Sequence, residues 1–95
     1  MNAHAIQHAF ALFRAGRFQE TTVACQQALA RRPGDESLAT LWAMSLQHLG
    51  CDREAAALYR QLANAHPQAA GHHTNLGLML RRLGDYADAE AAYLH

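Results

Sequence analysis

Three glycines set the frame of this chain: Gly16, Gly50 and Gly84 stand 34 residues apart, and Pro33 and Pro67 repeat the same interval. Each proline falls seventeen residues after a glycine. A glycine just past a helix supplies a left-handed turn at no steric cost, and a proline beyond a helix end prevents its continuation. Two independent kinds of punctuation therefore agree on one period. Between the marks, apolar residues step by three and four: Ile6, Ala9, Phe10 and Phe13 precede Gly16, and Leu38, Leu41, Trp42, Leu46 and Leu49 precede Gly50. A second periodic segment follows each glycine, with Phe18, Val23, Ala24, Ala28 and Leu29 in the first unit and Ala55, Leu58, Tyr59 and Leu62 in the second. Each unit thus reads as a helical hairpin. The spacing predicts helices over 3–15, 18–31, 36–49, 53–65, 70–83 and 86–95, with Asp35 and Asp52 as caps for the helices they precede.

Composition agrees with helix and narrows the partners. Ala, Leu, Gln and Arg are abundant while Val, Ile and Thr are few, so no strand is expected. Ninety-five residues make one domain at most, able to bury about two-thirds of the surface its unfolded chain exposes. Eight basic residues balance eight acidic ones, which removes the broad positive field that nonspecific nucleic-acid or anionic-membrane binding requires. The longest apolar run, Ala9 to Phe13, is far short of the roughly 20 residues of a membrane-spanning helix. The N-terminal Met1, Asn2, Ala3 and His4 lack the basic and apolar regions of a secretory signal, so cytoplasm is the default expectation. Cys25 and Cys51 stand alone and are expected as reduced thiols, Cys25 buried.

In the third unit, Asn75-Leu76-Gly77, Leu80, Gly84-Asp85-Tyr86, Ala89 and Tyr93 occur at offsets that resemble the tetratricopeptide repeat, whose unit is a 34-residue helix–turn–helix. The first unit, about 2–35, keeps Ala9, Leu12, Gly16, Phe18, Ala28 and Pro33 but has Thr21 and Cys25 where the family prefers Ala and an aromatic residue. The second, about 36–69, keeps Ala43, Leu46, Gly50, Ala55, Tyr59 and Pro67, with Asp52 in place of the aromatic residue after the turn glycine. His8 and Trp42 occupy a site the family usually gives to Leu. The resemblance implies an all-α, right-handed solenoid of antiparallel helix pairs: six helices in about two and two-thirds repeats, forming a single domain over 1–95 whose third unit, 70–95, is truncated. On this reading the chain is the N-terminal piece of a longer protein, with its last helix pair open to self-association.

The same resemblance implies a protein-binding role, with a peptide or partner segment held in a concave groove lined by the first helix of each pair. Carried over by motif offset, the lining is Ile6, Gln7, Phe10, Phe13 and Arg14 in the first unit and Thr40, Leu41, Met44, Gln47 and His48 in the second. The third unit adds Thr74, Asn75, Leu78, Arg81 and Arg82. Such a surface is apolar at one end and basic along one edge, suited to a segment with apolar anchors and some acidic residues. The plain alternative is that Ile6, Phe10, Leu41 and Leu78 fill space between helices and the arginines are a solvated face. A clamp for an acidic C-terminus does not fit, because the positions where family members carry basic and amide side chains hold Ile6, Phe10, Leu41 and Gly71, and only Asn75 is polar.

His4 and His8 share a helical face, yet two ligands do not complete a tetrahedral metal site and no carboxylate or thiolate lies near in sequence. His72 and His73 diverge around the helix, and His8 and His73 are expected to face inter-helix packing. No cofactor, no metal and no catalytic set is indicated, since nucleophile, base and orienting group do not converge. Asp85, Asp88 and Glu90 suit the positive end of a helix dipole. The expectation is a protein-interaction module and not an enzyme. Two further readings are a substrate-presenting array of a larger enzyme such as a glycosyltransferase, and a self-assembly scaffold forming homo-oligomers through its exposed ends.

Overall fold

The computed structural model describes residues 2–94, with side chains described from residue 4 onward. The described residues form six helices and no strand: α1 (Asn2–Arg14), α2 (Phe18–Arg31), α3 (Glu36–His48), α4 (Asp52–Ala65), α5 (Ala70–Arg82) and α6 (Tyr86–Tyr93). The expected boundaries lie within one residue or two of these; the predicted end of the last helix at residue 95 falls outside the described residues.

The 34-residue period is written into the backbone. Gly16, Gly50 and Gly84 take φ of 77°, 79° and 84°, the left-handed region that favours glycine. After α1, Gly16 N–H donates to Phe13 O and Arg17 N–H to Leu12 O; after α5, Gly84 N–H donates to Arg81 O and Asp85 N–H to Leu80 O. Both are Schellman closures, which satisfy carbonyls that the helix end leaves without partners. The prolines act on the residue before them. Arg32 and His66, forced out of the helical region by the following ring, adopt φ/ψ of −135°/69° and −132°/67° and end α2 and α4 alike.

One of the two expected caps is present. Asp35 Oδ1 accepts from Leu38 N–H at 2.9 Å at the start of α3. Asp52 is a correction, because Cys51 occupies the cap position of α4 and Asp52 is the first helical residue. Arg17, Cys51 and Asp85, the residues after the three turn glycines, share one conformation near φ −90° and ψ 64–71°, and none of them makes a side-chain cap.

The helices gather into two compact units, Met1–Gly50 with α1 to α3 and Cys51–His95 with α4 to α6. In the first, α2 packs on both α1 and α3, and α1 also meets α3. Ala9, Cys25, Ala28, Leu38 and Leu41 form its centre, with Phe10, Leu29 and Trp42 half-buried against them. Burying a leucine-sized side chain contributes about 1.5–3 kcal/mol, so Leu38 and Leu41, with the buried Leu12 and Leu46 outside this cluster, are major contributors to the unit's stability. Thr21 and Ser45 are wholly buried but donate to Arg17 O at 2.7 Å and Leu41 O at 2.8 Å, which removes the cost of hiding a hydroxyl.

In the second unit α5 packs against both α4 and α6. Tyr59, Met79 and Ala55 are fully buried, joined by Leu62, Leu76 and Ala89. Gly77 faces the ring of Tyr93 so closely that a Cβ there would lie 2.8 Å from Tyr93 Cε1. The missing side chain is what seats the last turn of α6 on α5.

Candidate protein-binding face

The fifteen residues carried over by motif offset divide between the two units. In the first unit α1 presents Gln7 and Arg14 to solvent, while Ile6, Phe10 and Phe13 are half-buried against the core. From α3, Thr40, Met44 and Gln47 are half-buried and His48 is exposed. Leu41 is corrected: only 2% exposed and part of the central cluster, it offers an occupant nothing to touch. It points into the core because α3 must close over α1 and α2 at that level. Ile6 lines a cavity of about 230 Å³ between α1 and α2, with Ala5, Ala24 and Ala28 as its other apolar walls.

At the other end of the first unit the structure brings Phe13 and His48 together around a residue that was not among the expected lining. Phe18, the first residue of α2, stacks flat on the His48 ring with centroids 4.3 Å apart and planes 2° apart. Phe13 meets Phe18 and His48 edge-on, at 5.4 and 5.7 Å. Edge-to-face and offset-stacked rings add about 0.5–1.5 kcal/mol per pair beyond their burial, so this trio ties the ends of α1 and α3 to the start of α2. The signal for Phe18 was the aromatic residue two places after the turn glycine, a position it shares with Tyr86.

In the second unit Thr74, Leu78, Arg81 and Arg82 of α5 are exposed and Asn75 is half-buried. Thr74 donates its hydroxyl to Ala70 O at 3.1 Å. Arg82 is engaged, its Nε 3.3 Å from Asp52 Oδ2. The other carboxylate oxygen of Asp52 is buried without a hydrogen-bond partner among the described residues.

His73 lies inside, as expected, its Nε2 3.1 Å from Pro67 O, and His72 is buried beside it. His8 is corrected, since it is exposed on the rim of the α1/α2 cavity, where no described helix covers it. No group of three or more His, Cys, Asp or Glu among the described residues is placed to hold a metal ion. Burial pushes the Cys25 thiol up to about 11 and the Tyr59 hydroxyl up to about 12, which keeps both neutral at physiological pH and leaves Cys25 without the thiolate a nucleophile requires. No helix among the described residues is long and apolar enough to cross a membrane.

Helices of 13 and 14 residues alternate from α1 to α5, and left-handed glycine turns and matching proline turns recur between them at the 34-residue period; this pattern defines a helical-repeat protein of the tetratricopeptide type. Over residues 1–95 the sequence matches the family described as Psidin, N-terminal TPR repeats region, and the chain belongs to that family. Its fold is similar to that of the Yersinia enterocolitica type III secretion translocator chaperone SycD, with a TM-score of 0.88 at 16% identity over 96% of this chain and 69% of that one. MamA of AMB-1 is similar at a TM-score of 0.88 and 22% identity, over 97% of this chain but only 50% of MamA. The MamA D159K mutant gives a TM-score of 0.84 at the same identity, over 54% of its chain. At such identities the likeness establishes the fold. No curated protein sequence matches the chain.

Proposed function

We propose that the chain is a protein-interaction module without catalytic activity of its own, and that it holds a partner segment against α1 and α3 of its first unit. What supports this reading is the contact of α1 with α3 inside the first unit, where Phe13 of one helix meets His48 of the other, together with the part-exposed or exposed Gln7, Phe10 and Arg14 on α1 and Met44, Gln47 and His48 on α3. Half-buried apolar side chains flanked by exposed polar and basic ones suit an apolar-anchored segment with acidic residues. Membership of a TPR-repeat family supports the same class of function, and the name of SycD makes that structural neighbour a chaperone of another protein.

A peptide selected from a random display library on the purified chain tests the face. Its affinity is expected to fall at least tenfold with Arg14→Glu or with Gln7→Glu plus Gln47→Glu, all outside the buried cluster. Gln26→Glu, exposed on α2, is expected to leave it unchanged. Equal losses from α2, or no response from α1 and α3, would reject the face.

A further inference from the structure

The second unit carries a groove on the side of its second helices. Both α4 and α6 pack on α5, and between them runs a channel floored by Leu76 and Leu80. Two cavities lie end to end along it. One of about 290 Å³ sits beside Ala57, and one of about 220 Å³ beside Asn64; they share Arg60 and Leu80, so they are halves of one groove. Its lining includes Ala56, Ala57, Ala91 and Ala92, whose small side chains leave the space for larger ones to enter.

The two walls carry opposite charge. Arg53 and Arg60 line the α4 side, Asp85 and Asp88 the α6 side, and all four are exposed. No ion pair among the described residues joins them across the channel. Opposite charges that face one another without meeting are both left for an occupant.

The spacing selects the kind of occupant. Ala57 and Asn64, which mark the two cavities, are seven residues apart, as are Arg53 and Arg60. Seven residues of helix rise about 10.5 Å, or two turns. A helix can put two apolar side chains two turns apart on its lower face and different charges on its two flanks. An extended segment has only two opposite side-chain directions, so it can address the two walls or the floor but not the floor and both walls together. We propose that this groove is a second docking surface, taking an amphipathic helix of a partner protein with apolar anchors two turns apart, acidic residues along the edge facing α4 and basic residues along the edge facing α6. It is separate from the α1/α3 face and does not depend on it.

A phage-displayed library of amphipathic helices, selected on the full chain, tests this directly. Helices with one acidic and one basic flank are expected to be enriched. Their binding is expected to fall tenfold or more with Arg60→Glu and with Ala57→Trp, which blocks one cavity, and to be unchanged by Arg14→Glu on α1. Arg60 and Ala57 are exposed, so the fold should persist, and equal far-ultraviolet circular dichroism checks it. Should Ala57→Trp disturb the helices, Asp88→Lys on the opposite wall takes its place. Failure to enrich any helix, or binders indifferent to Arg60 and Asp88, would overturn the proposal. Concentration-dependent association of the chain with itself, abolished by Arg60→Glu in sedimentation, would also overturn it by assigning the groove to a second copy.

Discussion

A positive φ costs an ordinary L-residue roughly 1–2 kcal/mol, and Gly16, Gly50 and Gly84 all adopt one. Open space surrounds Gly16, so backbone strain alone sets the effect of a side chain there. Gly16→Ala is expected to lower unfolding free energy by about 1 kcal/mol in urea titrations. Gly71→Ala, in the first turn of α5 with equal room, should be neutral or stabilising by up to about 1 kcal/mol. Equal losses at both sites would contradict the turn assignment. Cys25 makes a second test at this scale. In the unfolded chain its thiol ionises near 9.0 and Tyr59 near 10.0, whereas burial holds them to about 11 and about 12 in the fold. Above pH 9.0 the unfolded state therefore binds fewer protons than the folded one, and stability should fall as pH rises toward 11, first through Cys25 and then through Tyr59. Cys25→Ala should flatten the first part of that decline. With a thiol reagent at pH 8, Cys51 should react at once and Cys25 only as the protein opens, since Cys25 is buried and Cys51 half-buried. The burial of Cys25 was legible from its place in the repeat. That of Leu41 was not, because Leu41 and Phe10 carry the same apolar signal and only the closure of α3 over α1 and α2 separates core from surface.

Helix boundaries were readable because glycine and proline act through local sterics, which need no knowledge of the fold. Caps were less so. Asp35 lies in extended backbone, from which a carboxylate reaches the N–H three residues on, while Asp52 sits one place inside a helix that starts straight from a glycine turn. Replacing Asp35 by Ala should therefore cost about 1 kcal/mol, measured by thermal or urea unfolding. Asp52→Ala should cost less through its cap position, and its main effect should be release of Arg82, visible as a gain in mobility of that side chain by NMR. Helix α6 has eight residues, fewer than the roughly 12–15 at which isolated helices become even marginal, so its stability comes from packing. Gly77→Ala inserts a methyl against the Tyr93 ring. Amide exchange in the last turn of α6 should then speed up at least several-fold while that of α4 stays constant; an unchanged α6 would show that the ring is not what holds it.

At the scale of the molecule, the offsets of Asn75-Leu76-Gly77, Gly84-Asp85-Tyr86, Ala89 and Tyr93 carry the resemblance to the tetratricopeptide repeat, and the family match over residues 1–95 agrees with it. The position of a binding face was less legible. Motif offsets locate α1, α3 and α5, but burial decides which of their residues an occupant can reach, and that depends on neighbours far apart in sequence. Phe13, Phe18 and His48 meet from three helices although 35 residues separate the first from the last. The groove between α4 and α6 likewise draws Arg60 and Asp88 from opposite walls, which no local pattern announces. The most direct test of the central claim is an amide chemical-shift map of the chain titrated with a display-selected peptide ligand of the first unit. The largest changes should fall on Gln7, Arg14, Gln47 and His48, along α1 and α3. Changes centred on the exposed side of α2, at Gln26 and Ala30, with α1 and α3 silent, would contradict it.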